Sequence, residues 1–262
     1  EAYASITEQK YYWATLTAGI FNRPFGYEIE YTSNMREAPE RGRMSGNLFP
    51  NERDLGAKLT LQGPKTGIWN WLKLDVALVT GEGSPDANTG ISDFDSHKDL
   101  ISHLTVNRST RNEDIKYGFG VSYYNGGVIY NVDSIKNVAT YILKDDSAGV
   151  KTFHVDSVAP NTFAPRTYYG IDGQLQKDFK WGIFTLKAEY IQGTHSSQGS
   201  STRAYQTKPT VTNPIYTRKF NGAYFELAQN LNRATSENKF LNTLYSFIPG
   251  QIVLKYDWYD PN

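Results

Sequence analysis

Lysine and acid residues recur two positions apart in three short segments of the chain. The pairs are Lys73 with Asp75, Lys187 with Glu189, and Lys255 with Asp257. Side chains two residues apart in a β-strand point to the same face, so each pair would lie on one surface. Opposite charges at that distance partly cancel each other's field, which favours weak rather than strict selection of anions. A second interpretation stays open, in which the two charges of each pair only neutralise each other and have no role in selecting solutes.

The charged residues that we place on polar strand faces form a larger set. They are Lys58, Lys73, Asp75, Lys116, Lys187, Glu189, Lys255 and Asp257. Charged side chains on the wall of a water-filled channel set the electric field that a passing solute meets. We therefore predict that these residues line a pore.

The segment 22–54 concentrates charge of both signs between two short apolar anchors. The residues that we select as a constriction are Arg36, Arg41, Arg43, Arg53, Glu37 and Glu40. A freely solvated loop would not need the anchors Pro24-Phe25-Gly26 and Leu48-Phe49-Pro50. We predict that the segment folds partly into the mouth of a pore, where its guanidinium groups present planar donors to oxyanions. A plain external loop, charged for solubility, is the alternative.

Two further groups of residues offer little chemistry. Asp86, Asn88, Asp93 and Asp95 supply oxygen ligands but lack the spacing of a calcium loop that ends in Glu. His195-Ser196-Ser197 lies in a Gly/Ser-rich stretch without a nearby acid to orient the histidine. We predict no catalytic residue, no enzyme activity, no metal site and no organic cofactor; calcium in an external loop is the one exception left open.

Composition excludes several classes of protein. There is no Cys, so disulfides, thiolate metal sites and cysteine nucleophiles are excluded. Lys plus Arg is 27 and Asp plus Glu is 27, and this zero net charge argues against a nucleic-acid partner. The 19 Tyr, 13 Phe, 5 Trp and 22 Gly favour β structure. The chain begins at Glu1 without Met, and we expect a processed or incomplete product.

The elements that position these side chains are strands, which we predict from the alternation of apolar and polar residues. This alternation predicts nine strands, at 11–21, 55–62, 72–78, 116–123, 128–133, 169–177, 184–190, 223–227 and 252–258. No run approaches the 18 or so apolar residues of a membrane helix. A soluble β protein and a transmembrane β-barrel both remain open. A closed bacterial barrel has an even number of strands, so nine would be part of a larger one.

The predicted connections alternate between short and long. The short ones are 63–68, 125–127 and 178–182, and the long external loops are 22–53, 81–115, 134–167 and 193–219. Four long connections without helical patterns are unusual in a compact soluble domain but normal in an outer-membrane barrel. The interval 229–251 departs from the alternation.

Aromatic residues are predicted to form two belts at the strand ends. Tyr11, Tyr12, Trp13, Trp69, Trp71, Tyr123, Tyr124 and Trp181 would lie near the short turns, and Tyr168, Tyr169, Trp258 and Tyr259 at the opposite ends. Such belts are typical of the two interfaces of a membrane. The alternative is a β-sandwich whose strand ends happen to carry Tyr and Trp.

Several segments resemble one family. They are Ala18-Gly-Ile-Phe-Asn-Arg-Pro-Phe-Gly26, Arg36-Glu-Ala-Pro-Glu-Arg41, Leu48-Phe-Pro-Asn-Glu-Arg-Asp54, Tyr216-Thr-Arg-Lys-Phe-Asn-Gly-Ala-Tyr224 and Leu254-Lys-Tyr-Asp-Trp-Tyr-Asp-Pro-Asn262. Together they resemble the phosphate-selective porin O/P-like family, in the form common among Bacteroidetes-type outer-membrane porins. The resemblance implies a barrel of roughly 16 to 18 strands, often trimeric, that conducts small solutes or anions. Relative to that family the chain looks incomplete.

We therefore predict an all-β chain that forms a single transmembrane antiparallel β-barrel domain over residues 1–262. Its expected function is passive diffusion of small hydrophilic solutes through the bacterial outer membrane, with a mild preference for anions such as phosphate. Expected partners are outer-membrane lipid, small anions or solutes, and further copies in a homotrimer or a larger membrane complex. The alternatives are a partner-binding outer-membrane barrel with a plugged lumen and a secreted β-sandwich lectin.

Overall fold

A computed structural model describes residues 2–31, 36–64, 67–85, 91–130, 138–179, 182–199, 201–204, 207–230, 243 and 250–261. The chain is mostly strand, with two short helices. In chain order the elements are β1 (Ala2–Thr7), β2 (Ala14–Asn22), α1 (Gly26–Glu30), α2 (Arg43–Leu48), β3 (Arg53–Gln62), β4 (Leu72–Val79), β5 (Asp99–Ser109), β6 (Ile115–Tyr130), β7 (Thr140–Asp145), β8 (Lys151–Ser157), β9 (Thr162–Phe179), β10 (Gly182–Gln198), β11 (Ile215–Asn230) and β12 (Gln251–Asp260). The predicted all-β class is confirmed.

Strands β1 to β6 and β9 to β12 form one antiparallel meander, in which each strand pairs with the next of the series. The β7–β8 hairpin joins the start of β11 through parallel pairing, with Thr140 opposite Ile215. Within the described residues β1 and β12 each pair with a single strand, so the sheet is open at both edges. Closure into a barrel stays a prediction.

The strand count differs from the predicted nine because four strands went unrecognised: β1, β5, β7 and β8. In β5 the apolar Ile101 lies buried on the polar side while Ser102 lies on the apolar side, which blurs the alternation. Residues 128–130 of the predicted strand 128–133 form the end of β6, and residues 131–133 lie outside the described residues. Including β1 and β5, the described meander has ten strands, so the predicted count of nine was wrong; membership of a larger barrel stays a prediction.

The intervals predicted as long loops hold regular structure. The interval 81–115 contains β5, 134–167 contains β7, β8 and the start of β9, 193–219 includes the end of β10 and the start of β11, and 22–53 contains both helices. The alternation of connections becomes more regular as a result. The short connections are 8–13, 63–71, 110–114 and 180–181, and the long ones are 23–52, 80–98, 131–161 and 199–214. The interval 231–250 between β11 and β12 still departs from the alternation, and most of it lies outside the described residues. We call the two ends of the sheet the short-connection end and the long-connection end.

The prediction of a hairpin turn at Asn125-Gly126-Gly127 was wrong, because β6 continues through it. The two glycines serve the neighbouring strand instead. A Cβ atom on Gly126 would stand 2.0 Å from Cγ of Asp99, and the backbone N–H of Gly127 donates to Asp99 Oδ1 at 3.0 Å. A glycine pair that makes room for a carboxylate has the same sequence as one that makes a turn.

The two faces of the sheet differ sharply. On the outer face, Leu59, Phe119, Ile171, Phe225 and Leu254 are 39–66% exposed. On the inner face the buried residues include many that are charged: Asp54, Asp75, His103, Asp172, Lys187, Glu189 and Glu226. This polarity is the reverse of a water-soluble sheet, whose apolar face is covered and whose polar face is solvated.

The described residues of the segment 23–52, which we call the inserted segment, cover the inner face. Its apolar anchors Phe25 and Phe49 are buried, and both rings contact Tyr124 and Tyr168 of the sheet at centroid distances of 5.7–6.4 Å. Met44 and Leu48 of α2 join the same cluster. Among the described residues, no helix has the length and apolar character needed to cross a membrane.

The aromatic residues follow the predicted belts only in part. Tyr11, Tyr12, Trp13, Trp69 and Trp71 lie in short connections, as predicted. Tyr123 lies well inside β6, where it packs against Tyr169 of β9 at 5.3 Å. Tyr124 and Tyr168 belong to the inner face and are buried, so they belong to neither belt. Trp181 lies outside the described residues.

Candidate functional site: a charged inner face

The inserted segment and the strands beneath it meet through a network of ionised side chains. Of the three predicted lysine–acid pairs, one forms within its own strand: Lys73 Nζ lies 2.6 Å from Asp75 Oδ2. The same ammonium group lies 3.5 Å from Glu30 Oε1 of α1. The Asp75 carboxylate also accepts a hydrogen bond from Thr60 of β3. This first group therefore ties β3, β4 and the inserted segment together.

The other two predicted pairs do not form, because each lysine binds acids of the inserted segment and of β11 instead. Lys187 binds Glu37 and lies 3.9 Å from Glu226 Oε1. Lys255 binds Glu28 and lies 3.6 Å from Glu226 Oε2. Glu226 thus stands between two lysines that come from different strands.

The two acids of these unformed pairs accept hydrogen bonds from the backbone of the inserted segment. Glu189 Oε2 accepts from the N–H groups of Tyr27 and Glu28, both at 3.3 Å. Asp257 Oδ2 accepts from the N–H of Arg43 at 2.6 Å. A helix begins with N–H groups that lack partners in the helix, and these carboxylates supply the acceptors. The inner face therefore fixes where α1 and α2 begin.

A histidine and an acid bridge the sheet beneath α1. His103 Nε2 of β5 lies 3.0 Å from Asp172 Oδ2 of β9, although β6 separates the two strands. The bridge passes over Gly120, where a Cβ atom would stand 2.3 Å from Asp172 Oδ2 and 2.5 Å from His103 Nε2. His103 Nδ1 lies 3.7 Å from Glu30 Oε2.

Glu30 is strongly acidic in this setting. Burial by itself would raise the pKa of the Glu30 carboxyl, but the neighbouring imidazole of His103 and the charge of Lys73 outweigh burial and lower the pKa to about 2. A carboxylate held between two cationic partners is stabilised in its charged form. Glu30 therefore stays ionised and anchors α1 electrostatically.

A second buried network lies towards the long-connection end. Arg23 Nη2 lies 2.7 Å from Asp54 Oδ2, and Arg23 also donates to the Gly81 carbonyl at 2.8 Å. Arg166 Nη1 donates to the same carbonyl at 2.7 Å and lies 3.6 Å from Asp99 Oδ2. Each charge in this network has a partner of opposite sign, as a buried charge requires.

The arginines selected as a constriction are divided between two positions. Arg36 and Arg41 both lie against Glu52, Arg36 at 3.6 Å, so their charge is already compensated. Arg43, at the start of α2, and Arg53, at the start of β3, are exposed. Of the selected acids, Glu37 binds Lys187, and the backbone carbonyl of Glu40 accepts a hydrogen bond from Lys255 Nζ at 3.2 Å.

Among the described residues, the remaining predicted pore-lining lysines form no ion pair with this network. Lys58 stands over the ring of Phe21 at 5.4 Å from its centroid. Lys116, at the start of β6, lines an open cleft at the short-connection end of the inner face. The predicted set is thus not one cluster: Lys73, Lys187 and Lys255 contact the inserted segment, whereas Lys58 and Lys116 do not in the described part of the chain.

The two minor constellations gain no support as sites. Residues 86–90 of the proposed calcium ligands lie outside the described residues, and in the described part of the chain no three His, Cys, Asp or Glu residues cluster as metal ligands would. His195 lies in strand β10 and not in a loop; it is buried, with Tyr168 OH at 2.8 Å from Nδ1 and the Thr202 carbonyl at 3.1 Å from Nε2. Ser196 and Ser197 are buried too. The histidine is a structural residue whose ring nitrogens both have partners.

Sequence reasoning missed several charged residues of the inner face: Asp54, Asp99, His103, Arg166, Asp172 and Glu226. Asp172 and Glu226 did carry a signal, because each has apolar or glycine neighbours on both sides within a predicted strand. His103 and Asp99 carried none, because β5 itself was not recognised. Arg166 lay within an interval predicted as a loop.

Comparison of the chain with protein-family models and with curated proteins gives no match. The resemblance to a porin family therefore remains a prediction that rests on the quoted segments alone.

Proposed function

We propose that the sheet is part of the wall of an outer-membrane β-barrel that lets small hydrophilic solutes diffuse across the membrane. The observation that carries the proposal is the reversed polarity of the strands, with exposed leucine and aromatic side chains outside and ionised side chains inside. Each large apolar side chain left in water forgoes roughly 1.5–3 kcal/mol of burial free energy. Acyl chains would cover this face without any second layer of protein.

The outer aromatic residues support the same proposal. Along β6 the outer face carries Tyr117, Phe119, Val121 and Tyr123 in succession. Tyr117 and Tyr123 are six residues apart, which at about 3.4 Å per residue is roughly 20 Å along the strand. An apolar band of about 25 Å between aromatic girdles is what a barrel presents to the bilayer.

A sheet in a bilayer needs partners at both edges, because unpaired backbone groups are costly in hydrocarbon. The proposal therefore requires β1 and β12 to pair with each other or with further strands; the family resemblance favours further strands, to roughly 16–18 in all. We also propose assembly into a homotrimer or larger complex. Native mass spectrometry of the protein extracted in mild detergent measures both the mass of the polypeptide and the number of copies.

Weak selectivity follows from the pairing of charges. Lys73, Lys187 and Lys255 each have at least one carboxylate within 4 Å. Compensated cations attract anions less strongly than a row of free cations does. We expect a reversal potential that indicates at most a mild anion preference in a potassium chloride gradient.

Solubility and permeability test the proposal together. The protein should remain in the membrane fraction until detergent is added, and liposomes that contain it should swell in small sugars. A lectin would instead be found in aqueous buffer, and this result would exclude the barrel.

A second candidate, a barrel with a plugged lumen that binds a partner through its external loops, is favoured by the dense packing of the inserted segment on the inner face. Liposome swelling separates the two, because a plugged barrel passes no sugar.

Single-channel recording of the triple variant R36A, R41A and R43A tests the constriction, and R111A in a short connection is the control. We expect higher conductance and a weaker anion preference in the triple variant only; unchanged currents would remove the constriction.

A further inference from the structure

A cleft of about 830 Å³ opens at the short-connection end of the inner face, between the inserted segment and strands β5, β6, β9 and β10. Its volume falls within the range of roughly 300–1,000 Å³ that is common for small-molecule sites. The walls combine flat aromatic rings with uncharged amide and hydroxyl groups. These two kinds of group suit the apolar C–H faces and the hydroxyl groups of a sugar.

The first polar row is built across three strands. Gln174 Nε2 of β9 donates to Asn107 Oδ1 of β5 at 3.3 Å, and both residues line the cleft. The bridge passes over Gly118 of β6, where a Cβ atom would stand 2.3 Å from Asn107 Oδ1. Within the described residues, Asn107 Nδ2 and Gln174 Oε1 have no other partner. The row therefore offers a donor and an acceptor to a ligand.

The second polar row lies two residues further along the strands, where Gln176 and Thr185 are paired across β9 and β10. Gln176 Nε2 donates to Asp178 Oδ1 at 3.2 Å, which leaves its carbonyl oxygen available. The Thr185 hydroxyl has no partner in the part of the chain that the structure describes. A hydroxyl both donates and accepts, so this row matches the sugar hydroxyl in both of its roles.

The aromatic side of the cleft is held in place. Tyr27 and Tyr31 of the inserted segment pack at a centroid distance of 4.5 Å, and Trp71 Nε1 donates to the Ile68 carbonyl at 2.8 Å. All three rings line the cleft. Rigid rings with apolar faces and polar edges contribute contact area at a low cost in conformational entropy.

The charges at the cleft argue against an anion as its ligand. Lys187, which stands 4.5 Å from the centroid of Tyr31, is bound to Glu37. Arg108 is stacked on Trp71 at 4.6 Å. Lys116 shares the cleft with Glu113. Phosphate recognition needs cations that are free to form charge-assisted hydrogen bonds.

We propose that this cleft is a binding site for a neutral oligosaccharide on the path through the barrel. The inference rests on the proposed function only in placing the cleft on that path. Binding itself is measurable without transport.

The experiment is isothermal titration calorimetry on the full chain, in a detergent without a sugar head group. Maltotriose and potassium phosphate are the two probes. The test variant combines Q176L with T185V. The matched control is Q62L, because Gln62 of β3 also lies on the inner face but outside the cleft. Heat-dependent gel migration checks that each variant is folded.

We expect saturable binding of maltotriose that is weakened roughly tenfold in the double variant, as the loss of one or two hydrogen bonds implies, and is unchanged in Q62L. No saturable binding, equal binding by the double variant, or binding of phosphate in place of maltotriose would each overturn the inference. Maltotriose binding without liposome swelling would support the binding site and contradict the proposed porin function. Liposome swelling without maltotriose binding would support the porin function and contradict the binding site.

Discussion

The outer and inner faces of the same strands follow different physical rules. On β3, Leu55, Leu59 and Leu61 lie on the outer face without specific partners, whereas Asp54 on the inner face accepts hydrogen bonds from three other residues as well as from Arg23. The outer face requires only apolar character, and many residues satisfy it equally. The inner face requires a particular partner at a particular distance. On the outer face, the effect of a substitution on stability should therefore depend on the type of residue introduced. On the inner face, it should depend on which position is changed.

The largest effect is expected when a buried inner charge loses its partner. Asp54→Ala leaves Arg23 buried without its counter-ion and should lower the free energy of unfolding by about 3–5 kcal/mol. Urea unfolding in detergent micelles, followed by tryptophan fluorescence, measures the change. Asp156→Ala, an exposed acid of β8, is the matched control and should change stability by less than about 0.5 kcal/mol. Equal effects of the two substitutions would show that the inner network does not stabilise the fold.

The outer face should be sensitive to charge in general. Leu59→Arg places a cation in the apolar band and should cost about 2–4 kcal/mol in lipid. Gln62→Arg, on the inner side of the same strand, should be close to neutral because water reaches that side chain. Unfolding in lipid vesicles measures both variants. If Leu59→Arg is tolerated as well as Gln62→Arg, acyl chains do not contact the outer face.

Substitution of a glycine by alanine should likewise lower stability more on the inner face than on the outer face. Gly120→Ala inserts a methyl group into the bridge between His103 and Asp172 and should cost about 1–3 kcal/mol, since the packed groups must move. Gly173→Ala on β9 is the control, because its Cβ atom would have its nearest neighbour, the Gly118 carbonyl oxygen, at 3.9 Å. The same urea assay compares the two. A smaller loss for Gly120→Ala than for Gly173→Ala would contradict the bridge.

The smallest effect concerns pH at the long-connection end. Burial raises the pKa of the Glu82 carboxyl to about 9, with Arg166 opposing the shift. The protonated form is thus favoured by folding, and this contribution is complete below the unfolded pKa near 4.5 and is lost as pH rises through 9.

Between pH 6.5 and 7.5 the wild type should therefore lose about 1.4 kcal/mol relative to Glu82→Gln, which does not titrate. The difference between the two unfolding curves isolates Glu82 from the histidines, which are common to both. Parallel curves would show that Glu82 is already ionised in the folded protein.

How well a strand was predicted from the sequence depended on how regularly its apolar outer residues alternate with its polar inner residues. Strands whose outer residues are uniformly apolar, such as β3 and β4, were predicted close to their observed bounds. Strand β5 was missed because Ile101 and Ser102 interrupt its alternation. The glycines at 126 and 127 were misread as a turn, because the carboxylate that needs their space comes from a residue more than twenty positions earlier.

For the candidate site, Lys73, Lys187 and Lys255 were placed on the polar faces, but the partners of Lys187 and Lys255 were not predicted. Lys187 has Glu189 two residues away, yet it binds Glu37, since the inserted segment brings that acid closer. Local spacing determines which face a side chain occupies. It does not determine which of several acids on other elements reaches it.

The amino-acid sequence alone determined the β class, the two chemically different faces and the charged character of the segment between β2 and β3, because these depend on neighbours within a few residues. The tertiary structure alone decided that this segment lies on the inner face, that His103 meets Asp172 over Gly120, and that a cleft with amide and aromatic walls stays open below it. Those contacts join residues that are dozens of positions apart, so their existence depends on strand register and on the path of the chain.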